Sequence, residues 1–66
     1  DFLFVQAELD RLPLPEREAL VLFYLRELSL NDIAAIAAIP VGTVKSRLFR
    51  ARQMLRTQLE RKGIQS

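Results

Sequence analysis

A proline and a glycine stand two residues apart inside a stretch otherwise patterned as helix, IAAIAAIPVGTVKSRLFRAR (33–52). On both flanks the apolar residues recur at helical spacing, and neither flank alternates as a strand would. Pro40 has no N–H to donate and its ring clashes with the preceding turn, so one helix cannot run straight through it. Ala38 and Ile39, which fill the corner, are apolar, so the break reads as a packed turn and not as a solvated linker. Two helices joined this tightly, the second amphipathic and basic, describe a helix-turn-helix.

The rest of the chain supplies two further helical segments and no strand pattern. Apolar residues at 2, 5 and 9, broadened by Leu3 and Phe4, suit a first helix over about 2–11. The connector LPLP follows, in which Pro13 and Pro15 bias the residues before them away from helix. Pro15, with Glu16 and Glu18 complementing the helix dipole, is well placed to open a second helix over about 16–27. Its centre, ALVLFYL, is apolar nearly all round and is expected to be the most buried helix, with Tyr24 as a packing residue whose hydroxyl stays wet. Ser29 and Asp32 resemble a capping box at the start of a short third helix, about 30–37. The fourth, about 41–61, carries Val44, Leu48, Ala51, Leu55 and Leu59 as its inner stripe and stops before Gly63. The expected fold is a compact all-α domain of four helices.

With 66 residues there is room for one small core. The chain holds no cysteine and no histidine, which removes the commonest zinc ligands, nucleophiles and general bases. No metal, cofactor or catalytic centre is expected, and a reducing, cytoplasmic setting fits. The longest apolar run, Ala19 to Leu25, is seven residues, against the ~20 needed to cross a bilayer. Because the chain opens on DFLFV without methionine, it is expected to be a piece of a larger protein. Charge is divided unevenly: residues 1–39 carry −4 and residues 40–66 carry +6. A basic C-terminal third on an acidic body points to a polyanion at one face.

Turning the fourth helix by 100° per residue about Val44 places Gly42, Lys45, Ser46, Phe49, Arg50 and Gln53 opposite the inner stripe, with Arg47 and Arg52 at the flanks. Cations, a hydroxyl, an amide and an aromatic ring are the groups that can address a major groove. Gly42 weakens the first turn by ~1 kcal/mol relative to alanine. It either lets the backbone approach a phosphate, where N–H groups near Val41 to Thr43 are available, or accommodates tight packing after Pro40.

On these residues the chain resembles region four, the C-terminal domain, of bacterial RNA polymerase sigma factors of the extracytoplasmic-function group. The likeness runs from about Leu12 to Leu59 and rests on LPxxxRE, LSxxxIA and above all IPVGTVKSRLFRAR. It implies that the fourth helix enters the major groove of the promoter −35 element. Lys45, Ser46, Phe49 and Arg50 then address the bases and the groove. Thr43, Arg47 and Arg52 touch the backbone beside Gly42, with Arg26 a weaker phosphate candidate. The resemblance also implies two protein partners, the flap of the polymerase β subunit and an anti-sigma factor, for which Phe2, Leu3 and Phe4 are candidate contacts. One departure concerns the turn, where the family carries glycine and this chain has Ala38. A left-handed residue there costs alanine ~1–2 kcal/mol, so either the turn is strained or its geometry differs. Two alternatives fit parts of the pattern. One is the dimeric output domain of quorum-sensing response regulators, which shares LSxxxIA and GTVK. The other is a protein-interaction module that uses the inner stripe of the fourth helix as a coiled-coil seam.

Overall fold

Pro13 and Pro40 set where two of the four helices begin. Both are extended (φ −56°, ψ 149° and φ −64°, ψ 150°), and each carbonyl accepts the first bond of the helix that follows. In the computed structural model, which describes residues 2–63 and the side chains of 3–63, α1 spans Phe2–Asp10 and α2 spans Leu14–Leu20. A π-helical turn, Val21–Leu25, prolongs α2; α3 spans Leu30–Ala37 and α4 Val41–Arg61. There is no strand among the described residues, nor a helix long and apolar enough to cross a membrane.

The second helix departs from expectation at both ends. It starts at Leu14 and not at 16, because Pro13 takes the capping position and Pro15 sits within the first turn, where a missing N–H has no partner to lose. At the other end the ladder widens, with Arg26 N–H bonding the Val21 carbonyl at 3.0 Å. Glu27 then turns left-handed at φ 53° and Leu28 N–H closes onto the Leu22 carbonyl at 3.0 Å, so the helix stops short of 27.

The third helix is capped as its sequence suggests, by Asp32 N–H on Ser29 Oγ at 3.1 Å. It ends on Ala38 at φ 57°, ψ 45°, with Ile39 N–H bonded to the Ala34 carbonyl at 3.0 Å and Ala38 N–H to the Ala35 carbonyl at 3.3 Å. This pair of bonds is a Schellman termination, and the half-buried Ile39 seals it against the core. Glycine's usual position is therefore filled by alanine without a change of geometry.

The core gathers Leu9, Leu12, Ala19, Leu20, Ile33, Ala34, Val44, Leu48 and Ala51. Its centre is α4, not α2 as expected: Val44 is fully enclosed, whereas no residue of the π-helical turn is buried. The reason is length. At 21 residues α4 is the element against which α1, α2 and α3 all pack, and it stretches the molecule to 36 Å by 20 Å by 18 Å. The end of α2 lies beside α4 and α3 rather than between them, which leaves Tyr24 and Leu25 exposed.

Candidate nucleic-acid interface

The turn at Ala38 to Pro40 sends α4 off in a new direction, with Val44, Leu48 and Ala51 held inside. The rest of the helical wheel follows from that anchoring. Gly42, Lys45, Ser46, Phe49, Arg50, Arg52 and Gln53 are all exposed, while Thr43 and Arg47 are half-buried at the flanks. Phe49 leaves 60% of its surface to solvent on the face opposite the core. Lys45, Ser46, Phe49, Arg50 and Arg52 border one open depression whose apolar floor includes Phe23, Leu30 and Leu48.

A β-carbon built on Gly42 meets nothing within 4 Å. The packing explanation for this glycine is thereby removed, and what its missing side chain leaves is an accessible backbone. No side chain among the described residues caps the first turn of α4. The Thr43 N–H is not on offer, since it bonds the Pro40 carbonyl at 3.0 Å.

Several cations of the basic third are already engaged. Arg50 Nε lies 3.6 Å from Oε2 of Glu16, a carboxylate buried at the start of α2. Lys62 Nζ lies 3.1 Å from Oε2 of Glu8, which is only 2% exposed, and Gln58 Nε2 donates to the same carboxylate at 3.1 Å. Arg56 pairs with Glu60 one turn on, at 3.7 Å. Arg52 differs from these: its partner is the Tyr24 hydroxyl, at 2.7 Å, and that group is neutral.

Sequence reasoning placed Arg50 on the outward face of the fourth helix and read Glu16 as a charge complementing a helix dipole. Two buried carboxylates were thus missed. A glutamate in a first turn or beside an apolar stripe looks the same whether it is solvated or clasped. Its partner here lies 34 or more residues away in the chain, where local spacing carries no signal.

A model of sigma-70 region 4 matches residues 5–55, most of the chain, taking in α3, the turn and α4 as far as Leu55. The chain belongs to the sigma-70 region 4 family. Among its relatives, ECF RNA polymerase sigma factor SigW of Bacillus subtilis is 49% identical over 55 residues, which is 83% of this chain and 29% of that protein. ECF sigma factor EcfG of Rhodopseudomonas palustris is 50% identical over 50 residues, 76% of this chain and 28% of the relative. The ECF sigma-E factor of Haemophilus influenzae is 44% identical over 52 residues, 79% of this chain and 28% of its own length. The chain spans under a third of each of these proteins. The resemblance drawn from IPVGTVKSRLFRAR is thus to the right family and to its extracytoplasmic-function members, and a sigma-70 region 4 domain is not an enzyme.

Proposed function

We propose that this region 4 domain binds the promoter −35 element by laying the first half of α4 in the major groove, as part of a sigma factor that directs RNA polymerase. The observation that carries the proposal is the face of α4 opposite Val44. Lys45, Ser46 and Phe49 are exposed there together, beside the open backbone at Gly42. Lys45 suits guanine acceptors, Ser46 either a base edge or a phosphate, and Phe49 a thymine methyl. Arg50 works from Glu16, its guanidinium reaching the groove edge while Nε stays tied. Thr43, Arg47 and Arg52 meet the phosphates that flank the groove, and Arg26, exposed just after the π-helical turn, is a weaker phosphate contact.

The relatives are named as RNA polymerase sigma factors, which supports the polymerase as a partner; promoter DNA as the ligand rests on the exposed face of α4. Within that reading, the β flap or an anti-sigma factor takes the exposed apolar residues of α1, Leu3 and Phe4, and the setting is cytoplasmic. The side chain of Phe2, the third residue expected to share this contact, lies outside the described residues.

Lys45→Ala is the clean test, because no ion pair of Lys45 occurs among the described residues, whereas Arg50→Ala also strips a buried carboxylate of its partner. In a fluorescence-anisotropy titration at fixed salt, Lys45→Ala should weaken binding to a −35-like duplex by ~1–3 kcal/mol with the melting temperature unchanged. Unaltered affinity would rule out this docking.

A further inference from the structure

Among the described residues, four cations of α4 and its C-terminal end have side-chain partners, and one of those partners is uncharged. Glu16, Glu60 and Glu8 balance Arg50, Arg56 and Lys62, so those contacts cancel charge locally. Tyr24 instead holds Arg52 Nη1 at 2.7 Å through its hydroxyl oxygen, which fixes the guanidinium and leaves its full charge available. A phenol is both acceptor and donor. Its oxygen is occupied by Arg52, and its own proton is left to point away from that bond.

The tyrosine is built into its place. It lies in the π-helical turn Val21–Leu25, a rare widening of the ladder that is frequent at functional sites. Its ring stands edge-on to Phe23, with centroids 4.9 Å apart and planes at 84°, and Phe23 packs in turn on the core. Yet 52% of Tyr24 is exposed, and Phe23 and Arg52 border the same depression as Lys45, Ser46 and Phe49. The hydroxyl is therefore fixed in direction and open to solvent, at the edge of the reading face.

We propose that Tyr24 and Arg52 form one composite phosphate site, in which the Tyr24 hydroxyl accepts from Arg52 and donates its own proton to a phosphate oxygen of the bound duplex. The site extends the DNA contact beyond the helix-turn-helix onto the end of α2, and it rests on the −35 reading above. Arg52 supplies the charge, and Tyr24 supplies a neutral, directional hydrogen bond beside it. Both contacts position the duplex without reading its sequence.

The test is a double-mutant cycle in the full chain with Tyr24→Phe and Arg52→Ala, titrating a −35-like duplex at several salt concentrations. Tyr24→Phe keeps the ring and its packing on Phe23, so the melting temperature should change little. It should lower affinity about three- to tenfold and leave the slope of log K against log salt as in the wild type, since no charge is removed. Arg52→Ala should flatten that slope by ~0.9, one phosphate, and Tyr24→Phe should cost less in the Arg52→Ala background than alone. Equal losses in both backgrounds would overturn the composite site. A flattened slope for Tyr24→Phe would also overturn it, by showing that the hydroxyl acts only through Arg52. Wild-type binding with Tyr24→Phe unaffected defeats this site alone. Failure of the wild type to bind the duplex defeats the −35 reading, and this site with it.

Discussion

Ala38 sits at φ 57°, ψ 45°, a conformation in which its methyl crowds the following carbonyl. Its two neighbouring hydrogen bonds are nevertheless made, so the turn keeps its geometry and bears the strain in the residue. Replacing it with glycine removes a cost of ~1–2 kcal/mol and adds back part of it as lost chain entropy in the unfolded state. Ala38→Gly should therefore stabilise the domain by ~0.5–1 kcal/mol, which for a chain of this size raises the melting temperature by about 3–6 °C. A thermal scan followed by circular dichroism checks this, and a fall in melting temperature would contradict the left-handed assignment. Glu27, at φ 53°, bears the same kind of strain at the end of α2. Nothing in the sequence marks it: LRELS offers neither glycine nor asparagine at that point, so the left-handed residue is set by how the π-helical turn closes on Leu28. Ala38 was legible because Pro40 fixes the break two residues later, whereas Glu27 has no such punctuation beside it.

Among the elements, α4 packs on the core with one face and is proposed to read DNA with the other, and its first turn sets these roles against each other. Glycine is a poor helix residue, yet the space around Gly42 is empty, so the fold itself gives no reason to keep it. Gly42→Ala should strengthen the helix by up to ~0.5–1 kcal/mol, visible as a higher melting temperature. The same methyl projects at the face proposed to meet DNA, and should weaken duplex binding severalfold in an anisotropy titration. Gain of stability with undiminished affinity would mean that the backbone at 42 does not come close to the nucleic acid. The opposite outcome, stability gained as affinity falls, is what a glycine kept for function predicts, since the local rule it breaks has no structural compensation. The helix starts and the inner stripe could be read from sequence because prolines, the Ser29 cap and 3.6-residue spacing are local signals. The rank of α2 in the core could not, since ALVLFYL is equally apolar whether it lies between helices or beside them. Only the length of α4, which makes it the common packing surface, decides that.

Across the whole molecule, charge is distributed less openly than composition suggests. The sequence puts seven cations in residues 40–66. Folding ties three of them, Arg50, Arg56 and Lys62, to carboxylates, two of which are buried. The pair at Glu8 fastens the end of α4 to α1, and the pair at Glu16 fastens its middle to the start of α2. These two contacts hold α1 and α2 to the long helix where the apolar core of so short a chain runs out. They also remove charge from the account of DNA binding. Lys45, Arg47, Arg52 and Arg61 then remain without a carboxylate partner among the described residues, and Arg61 lies at the end of α4 remote from Gly42. If each cation without a carboxylate near the groove neutralises one phosphate, the slope of log K against log salt should be about −2.7 to −3.6, at ~0.9 per contact. Were all seven cations to engage phosphates, the slope would approach about −6 by the same rule. A titration between low and physiological salt separates these values. A slope near −6 would mean that DNA pulls Arg50 and Lys62 off their glutamates, leaving two buried carboxylates unpaired. Such a state is costly in a low-dielectric interior, and that cost is why the shallower slope is expected.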